Sequence, residues 1–277
     1  HPTEPAVLFA GTQDNGGQRF TGEEAWLYSS GGDAGYPIVN WKDPYKILMT
    51  YTKDRVQRST DGGTRYSYSS VDVLLKEPNE SVLFYAPLAG TPPNPGSPTA
   101  EADADLVAFG SIRPWISTDF GSNWHSIPTG TLEGDRLDSA ISCLMFASPN
   151  RLYAGTQAGG VYRFDRDGAG KWSSSKRLDL DIDANGADLL PIHGPVTDIA
   201  VDPNDDSHIY ITFGGIGDYR HAWFYDGTKW EARSGPADEA SKDSLHLLDV
   251  QATAIVVDPD NPTHLYVGAD IGVWRST

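Results

Sequence analysis

Cysteine is nearly absent. Cys143 is the only one in 277 residues, so no intramolecular disulfide, cysteine-based zinc site or covalent haem attachment can form. Its surroundings, Ala140-Ile141-Ser142-Cys143-Leu144-Met145-Phe146, are apolar and predict a buried, inert thiol rather than a nucleophile. Long hydrophobic runs are missing as well: nothing approaches the roughly 18 consecutive apolar residues of a membrane span, so no membrane insertion is expected. Positive charge is scarce. Lys and Arg number 21 against 38 Asp and Glu, a formal charge of −17. That balance excludes nucleic-acid binding through a basic surface, because neutralising phosphates takes clustered cations. There is no His-Glu-x-x-His zinc motif, phosphate loop or dinucleotide fingerprint. Gly214-Gly215-Ile216-Gly217 follows a strand pattern and precedes another, so it reads as a turn. No basic-then-apolar leader opens the chain, which starts at His1; the expectation is numbering that begins after processing or inside a longer precursor.

Aromatic and turn-forming residues are plentiful. Eight Trp and 13 Tyr supply a core and argue against disorder, while 29 Gly and 19 Pro point to many turns. Self-comparison then shows repeats. Ala254-Ile255-Val256-Val257, Asp258-Pro259-Asp260, Leu265-Tyr266-Val267-Gly268 and Gly272-Val273-Trp274-Arg275 form the clearest unit. Val196 to Val201, Asp202-Pro203-Asn204 and Ile209-Tyr210-Ile211 form another. First strands starting near Pro37, Val82, Ile141, Val196 and Gln251 give spacings of 45, 59, 55 and 55 residues. Such periods suit four-stranded blades, and the period-2 runs favour strands over helices. The Pro-rich insertion at Gly90 to Asp105 reads as a loop, and only Asp238 to Leu248 has the pattern of a short helix. Trp115, Trp124, Trp172, Trp223, Trp230 and Trp274 recur at blade positions and should be core.

A second repeated element sits between third and fourth strands. Ser117-Thr118-Asp119-Phe120-Gly121-Ser122-Asn123-Trp124 fits Ser-x-Asp-x-Gly-x-x-Trp, and Ser59-Thr60-Asp61-Gly62-Gly63-Thr64-Arg65-Tyr66 fits it with Tyr for Trp. A short Asp can accept backbone N–H groups, Gly supplies positive φ, and the aromatic packs beneath the turn. Degenerate copies occur at Asp165 to Trp172 and at Tyr225 to Trp230.

On these residues the chain resembles the Asp-box (bacterial neuraminidase repeat) β-propellers, which include sialidases, xyloglucan-degrading glycoside hydrolases and the sortilin ectodomain. Gly11 to Gly16, Gly31-Gly32-Asp33 and Gly268 to Trp274 are similar to a bacterial glycosyl hydrolase-like branch. The resemblance implies an all-β fold: one β-propeller over residues 1–277, with four-stranded antiparallel blades, about six of them or seven when complete. It implies Asp-box turns between third and fourth strands. It also implies a fragment of a longer chain, closed by a further segment or a second chain. An extracellular, cell-surface or periplasmic location follows from the same likeness.

Second-to-third and fourth-to-first connections share one end of such blades, the usual ligand face. That mapping puts Asp14, Asp33, Asp54, Asp135, Asp138, Asp218, Asp249 and Asp270 there, with Arg19, Arg113, His193, Arg220, His221 and His246 in or near those loops; Asn15 follows Asp14 as a further ligand-binding candidate, and Trp41, if exposed, is a candidate for stacking on a sugar ring. So many carboxylates favour a sugar, a cation or a basic partner over an anion. Glycoside hydrolysis would need two carboxylates flanking the bond; Asp14 with Asp33 is the first candidate pair, with Asp249 or Asp270 as alternatives, and their reading as turn formers stands beside it. Asp181, Asp183 and Asn185 have the alternating oxygens of a calcium loop, but Ile192 stands where a bidentate Glu is needed. No cofactor is required; Ca²⁺ there is one reading and a solvated acidic loop the other. The leading expectation is a module binding carbohydrate or protein, against a polysaccharide-cleaving hydrolase and a structural surface or filament component.

Overall fold

The structure, a computed structural model of the chain, describes residues 1–69, 80–130, 136–179, 194–217, 220–235 and 246–276. Among the described residues, six antiparallel sheets are each built from strands consecutive in the chain. The first holds β1 (Leu8–Thr12), β2 (Gly16–Phe20) and β3 (Leu27–Ser30), and the second β4 (Pro37–Val39), β5 (Ile47–Thr50), β6 (Val56–Ser59) and β7 (Ser67–Tyr68). The third holds β8 (Leu88–Gly90), β9 (Val107–Gly110), β10 (Pro114–Ser117) and β11 (His125–Ser126). In the fourth are β12 (Ile141–Ser148), β13 (Arg151–Thr156), β14 (Val161–Asp165) and β15 (Lys176–Arg177). The fifth contains β16 (Val196–Asp202), β17 (Asp205–Phe213), β18 (Ala222–Tyr225) and β19 (Trp230–Ala232), and the sixth β20 (Ala252–Val257), β21 (Leu265–Ala269) and β22 (Gly272–Arg275). First strands of successive sheets pack together, from β4 through β8, β12 and β16 to β20.

The side-chain pattern explains this stacking. Along β9, Val107 and Phe109 enter the apolar cluster shared with the second sheet, whereas Ala108 enters the cluster shared with the fourth. Along β13, Leu152 and Ala154 face the third sheet's cluster and Tyr153 the fifth's. Successive residues in a strand point to opposite faces. Both parities are therefore apolar because each inner sheet is buried on both sides. Trp115, Trp124, Trp172, Trp223 and Trp230 are buried in these junctions, and Trp274 is half-buried. Cys143 is buried too, and burial pushes its thiol pKa up, as its apolar surroundings predict.

Two expectations are corrected. The third sheet starts at Leu88 rather than near Val82, because Pro87 has no N–H for a ladder and the apolar run before it is used in a loop. There Tyr85 bridges Lys53, and Phe84 packs edge-on to Tyr85. The Pro-rich insertion also contains a one-turn helix, α1 (Ala100–Ala104), where Ser97 and Thr99 donate to the Asp103 carboxylate at 3.0 and 2.8 Å. Most of the expected helix at Asp238 to Leu248 lies outside the described residues.

The Ser-x-Asp-x-Gly segments close the turns after β6 and β10. Asp61 accepts the N–H groups of Thr64 and Arg65 at 3.0 and 2.9 Å, and Asp119 accepts that of Asn123 at 2.8 Å. Ser59 and Ser117 accept from Gly63 and Gly121, both with φ of 81°. The aromatic that follows reaches back to the preceding sheet: Trp124 Nε1 donates to Ser69 Oγ at 2.9 Å, and Ser29 Oγ donates to the Tyr66 hydroxyl at 3.4 Å. Trp230 repeats this contact on the Leu178 carbonyl at 3.1 Å.

These carboxylates titrate low. The Arg65 N–H and the Ser59 hydroxyl hold Asp61 below the usual range. Burial pushes Asp119 up, but bonds from Asn123 and Ser117 outweigh it and leave it low. A depressed folded-state pKa gives stability that is present above the unfolded value near ~4 and lost as pH falls through the folded value. Asp119→Asn should therefore flatten the acid limb of a urea midpoint-versus-pH curve. An unchanged limb would remove Asp119 from its cause.

Candidate functional site

Second-to-third hairpins and sheet-to-sheet connections meet at one end of the sheets. The hydrogen bonds show it repeatedly: Ala34 N to Thr12 O at 3.1 Å, Gly110 N to Pro87 O at 3.0 Å, Gln157 N to Ala140 O at 2.9 Å, Gly214 N to Pro195 O at 2.9 Å and Asp270 N to Gln251 O at 3.2 Å. Asp14, Asp33, Asp54, Asp138, Asp249 and Asp270 all lie there.

Asp14 and Asp33 are brought together. The β1–β2 turn carries Asp14 in the left-handed region, φ 62°, and its N–H donates to Asp33 Oδ1 at 2.8 Å. Asp33 follows Gly31-Gly32, where Gly32 has φ 79° and its Cα faces the Tyr51 hydroxyl so closely that a Cβ would collide with it. These glycines do more than turn the chain; they admit a tyrosine against the backbone. Beside the pair stands Tyr85, whose hydroxyl is shielded from solvent and has no hydrogen-bond partner among the described residues. Burial, then the charges of Asp33 and Asp14, push its pKa up. Among the described residues, a phenol donor without an acceptor thus lies within electrostatic range of two carboxylates, a combination that suits a ligand bearing several hydroxyl groups.

Other polar groups at this end are engaged with one another. Arg113 pairs with Glu80 at 3.3 Å, their side chains only 9% and 7% exposed, and Ser111 donates to Glu80 while accepting from Trp115 Nε1 at 3.0 Å. Arg177 binds Asp179 at 2.9 Å and Asp138 at 3.2 Å. Burial, then the charge of Asp138, drives the neighbouring Tyr162 up to about 12. Asp249 accepts the Gly217 N–H at 2.9 Å and lies 3.3 Å from buried His221. Arg113 is therefore committed to Glu80 instead of waiting for a ligand.

The remaining candidates scatter. Asn15 is exposed in the Asp14 turn, Arg220 lies over the Trp223 ring at 5.7 Å, and His246 lines a cavity between the fifth and sixth sheets. Arg19 and Trp41 are not at this end. Arg19 sits on β2 opposite Leu27, over the Phe9 ring at 5.8 Å, and Trp41 belongs to the β4–β5 turn, donating to Thr91 Oγ1 at 3.4 Å. His193, Asp135 and Asp218 lie outside the described residues, as do Asp181, Asp183 and Asn185. Among the described residues, no group of three or more His, Cys, Asp or Glu is placed to hold a metal ion.

Some of the polar and aromatic lining was not legible beforehand. Tyr51, Glu80 and Tyr85 belong to no motif.

No protein-family model and no curated protein sequence matches the chain. Solved structures do. An ancestral GH74 enzyme superposes with TM-score 0.64 at 16% identity, over 99% of this chain and 35% of its own. The GH74 xyloglucanase from Xanthomonas campestris gives 0.62 at 18% identity, over 100% of this chain and 43% of its own. YCF48, solved with a D1 peptide, gives 0.54 at 11% identity, over 99% of this chain and 67% of its own. The chain thus spans less than half the length of these two GH74 enzymes. At such low identity the likeness establishes the fold alone, which is all-β and propeller-like.

Proposed function

We propose that the chain is a carbohydrate-binding Asp-box propeller, working outside the cytoplasm, that holds a neutral glycan at the hairpin-and-loop end of its first two sheets. The observation that carries this reading is the Asp14–Asp33 contact beside the unpartnered Tyr85 hydroxyl. Sugar hydroxyls both donate and accept, so one ring can satisfy the carboxylates and the phenol together. A net charge of −17 disfavours an anionic ligand. The names of the GH74 neighbours lend support in kind, and the peptide held by YCF48 keeps a protein ligand as the competitor. A hydrolase reading is favoured by the same juxtaposition of two acids, if both carboxylates face one bond.

Titration with cellohexaose, xylohexaose and mannohexaose, with reducing ends assayed in parallel, tests the reading. Asp33→Asn keeps an oxygen for the Asp14 N–H and loses the charge. Hydrogen bonds to charged groups are worth about 1.5–3 kcal/mol, so affinity for the bound hexaose should fall roughly 10- to 100-fold. No binding by the native protein, or equal binding by the variant, would refute it. New reducing ends that vanish in Asp33→Asn would establish the hydrolase instead.

A further inference from the structure

A cavity of about 540 Å³ opens between the first and second sheets. Tyr28, Tyr51, Tyr66 and Tyr68 line it together with Gln57, and no charged side chain does. Two of these rings are displayed to solvent: Tyr28 is 69% and Tyr68 60% exposed. Tyr51 meets Tyr68 edge-on at 6.1 Å between centroids, which fixes the ring at the cavity wall. Gln57 is only 7% exposed, and its Oε1 is buried with no hydrogen-bond partner among the described residues. A buried polar atom without a partner is costly to keep. Ligand pockets in general pair aromatic walls with a few placed polar groups, at volumes of roughly 300–1,000 Å³.

We propose that this cavity is a second glycan subsite, in which a neutral pyranose ring lies against Tyr28 or Tyr68 and hydrogen-bonds the Gln57 amide. An uncharged, hydroxyl-rich lining around an unsatisfied amide selects a polyol with an apolar face over an ion or a hydrocarbon. Gly31 lines the cavity and Asp33 stands two residues on, at most about 7 Å away between Cα atoms. One oligosaccharide can therefore span both places. The inference rests on the glycan-binding reading for its ligand class.

The test titrates the full chain and three variants with the three hexaoses. Tyr28→Ala/Tyr68→Ala removes two exposed rings and should weaken the bound hexaose roughly tenfold. Gln57→Met should weaken it several-fold while leaving the melting temperature unchanged or higher, because the orphaned amide is replaced by an apolar side chain of similar shape. Unaltered affinity in both, or a lowered melting temperature for Gln57→Met with unaltered affinity, would overturn the proposal. The Asp33→Asn arm separates the two claims. If it alone weakens binding, the subsite fails and the loop-end reading stands; if only the tyrosine and glutamine variants do, the reverse holds. If no hexaose binds the native chain, both fall.

Discussion

Trp124→Ala should lower the unfolding free energy by about 3–5 kcal/mol, the range for emptying a large aromatic from a core. Trp124 is 4% exposed, packs against Phe109 with centroids 6.1 Å apart, and donates its indole N–H to Ser69 of the preceding sheet. Ser69 in turn donates to the Gly121 carbonyl in the turn that carries the tryptophan. Deletion therefore opens a junction between two sheets and leaves Ser69 without its donor. Trp124→Phe keeps most of the ring and loses only the hydrogen bond, so it should cost about 1 kcal/mol beyond any repacking. Domains of ordinary stability hold about 5–15 kcal/mol; the alanine variant would consume a large share of that. Urea denaturation followed by tryptophan fluorescence measures both. Equal, small losses would show that the sheets do not lock through this side chain.

A comparably large effect is expected at Arg113. Replacing it by Met leaves the Glu80 carboxylate buried without its cation, and removing one partner of such a pair costs about 3–5 kcal/mol. Glu80→Leu combined with Arg113→Met should recover most of it, since well-packed apolar residues often replace a buried pair at no cost. A double variant no better than the single one would mean that the pair also fixes the Ser111–Trp115 contact, and a harmless single variant would mean that the pair is solvated.

The sheets were legible because the signals that announce them are local. Asp-Pro turns, alternating apolar strands and the Ser-x-Asp-x-Gly hairpins each lie within one unit, and repetition shows them several times over. The start of β8 was misplaced because Val82 to Tyr85 has strand composition but its partner, Lys53, lies in another unit; only Pro87 hinted at the true start. Helix α1 was hidden by the prolines around it and by its own brevity. The site was half legible. Asp14 and Asp33 stood out as turn residues, and what the sequence could not show was that Gly32 makes room for Tyr51. The tyrosine-lined cavity draws on β3, the β5–β6 turn and β7, so no spacing within a unit marks it. Arg113 looked available because a buried partner at Glu80, in a loop outside any motif, cannot be read from composition.

Hydrogen exchange of the free chain against its complex with whichever hexaose binds most tightly tests the central claim most directly. Glycan binding at the loop end predicts added protection in residues 12–16, 31–35, 51–55 and 83–86, and none in the turns of Asp61 and Asp119 at the other end. Protection confined to those opposite turns, or no protection by any hexaose, would contradict it.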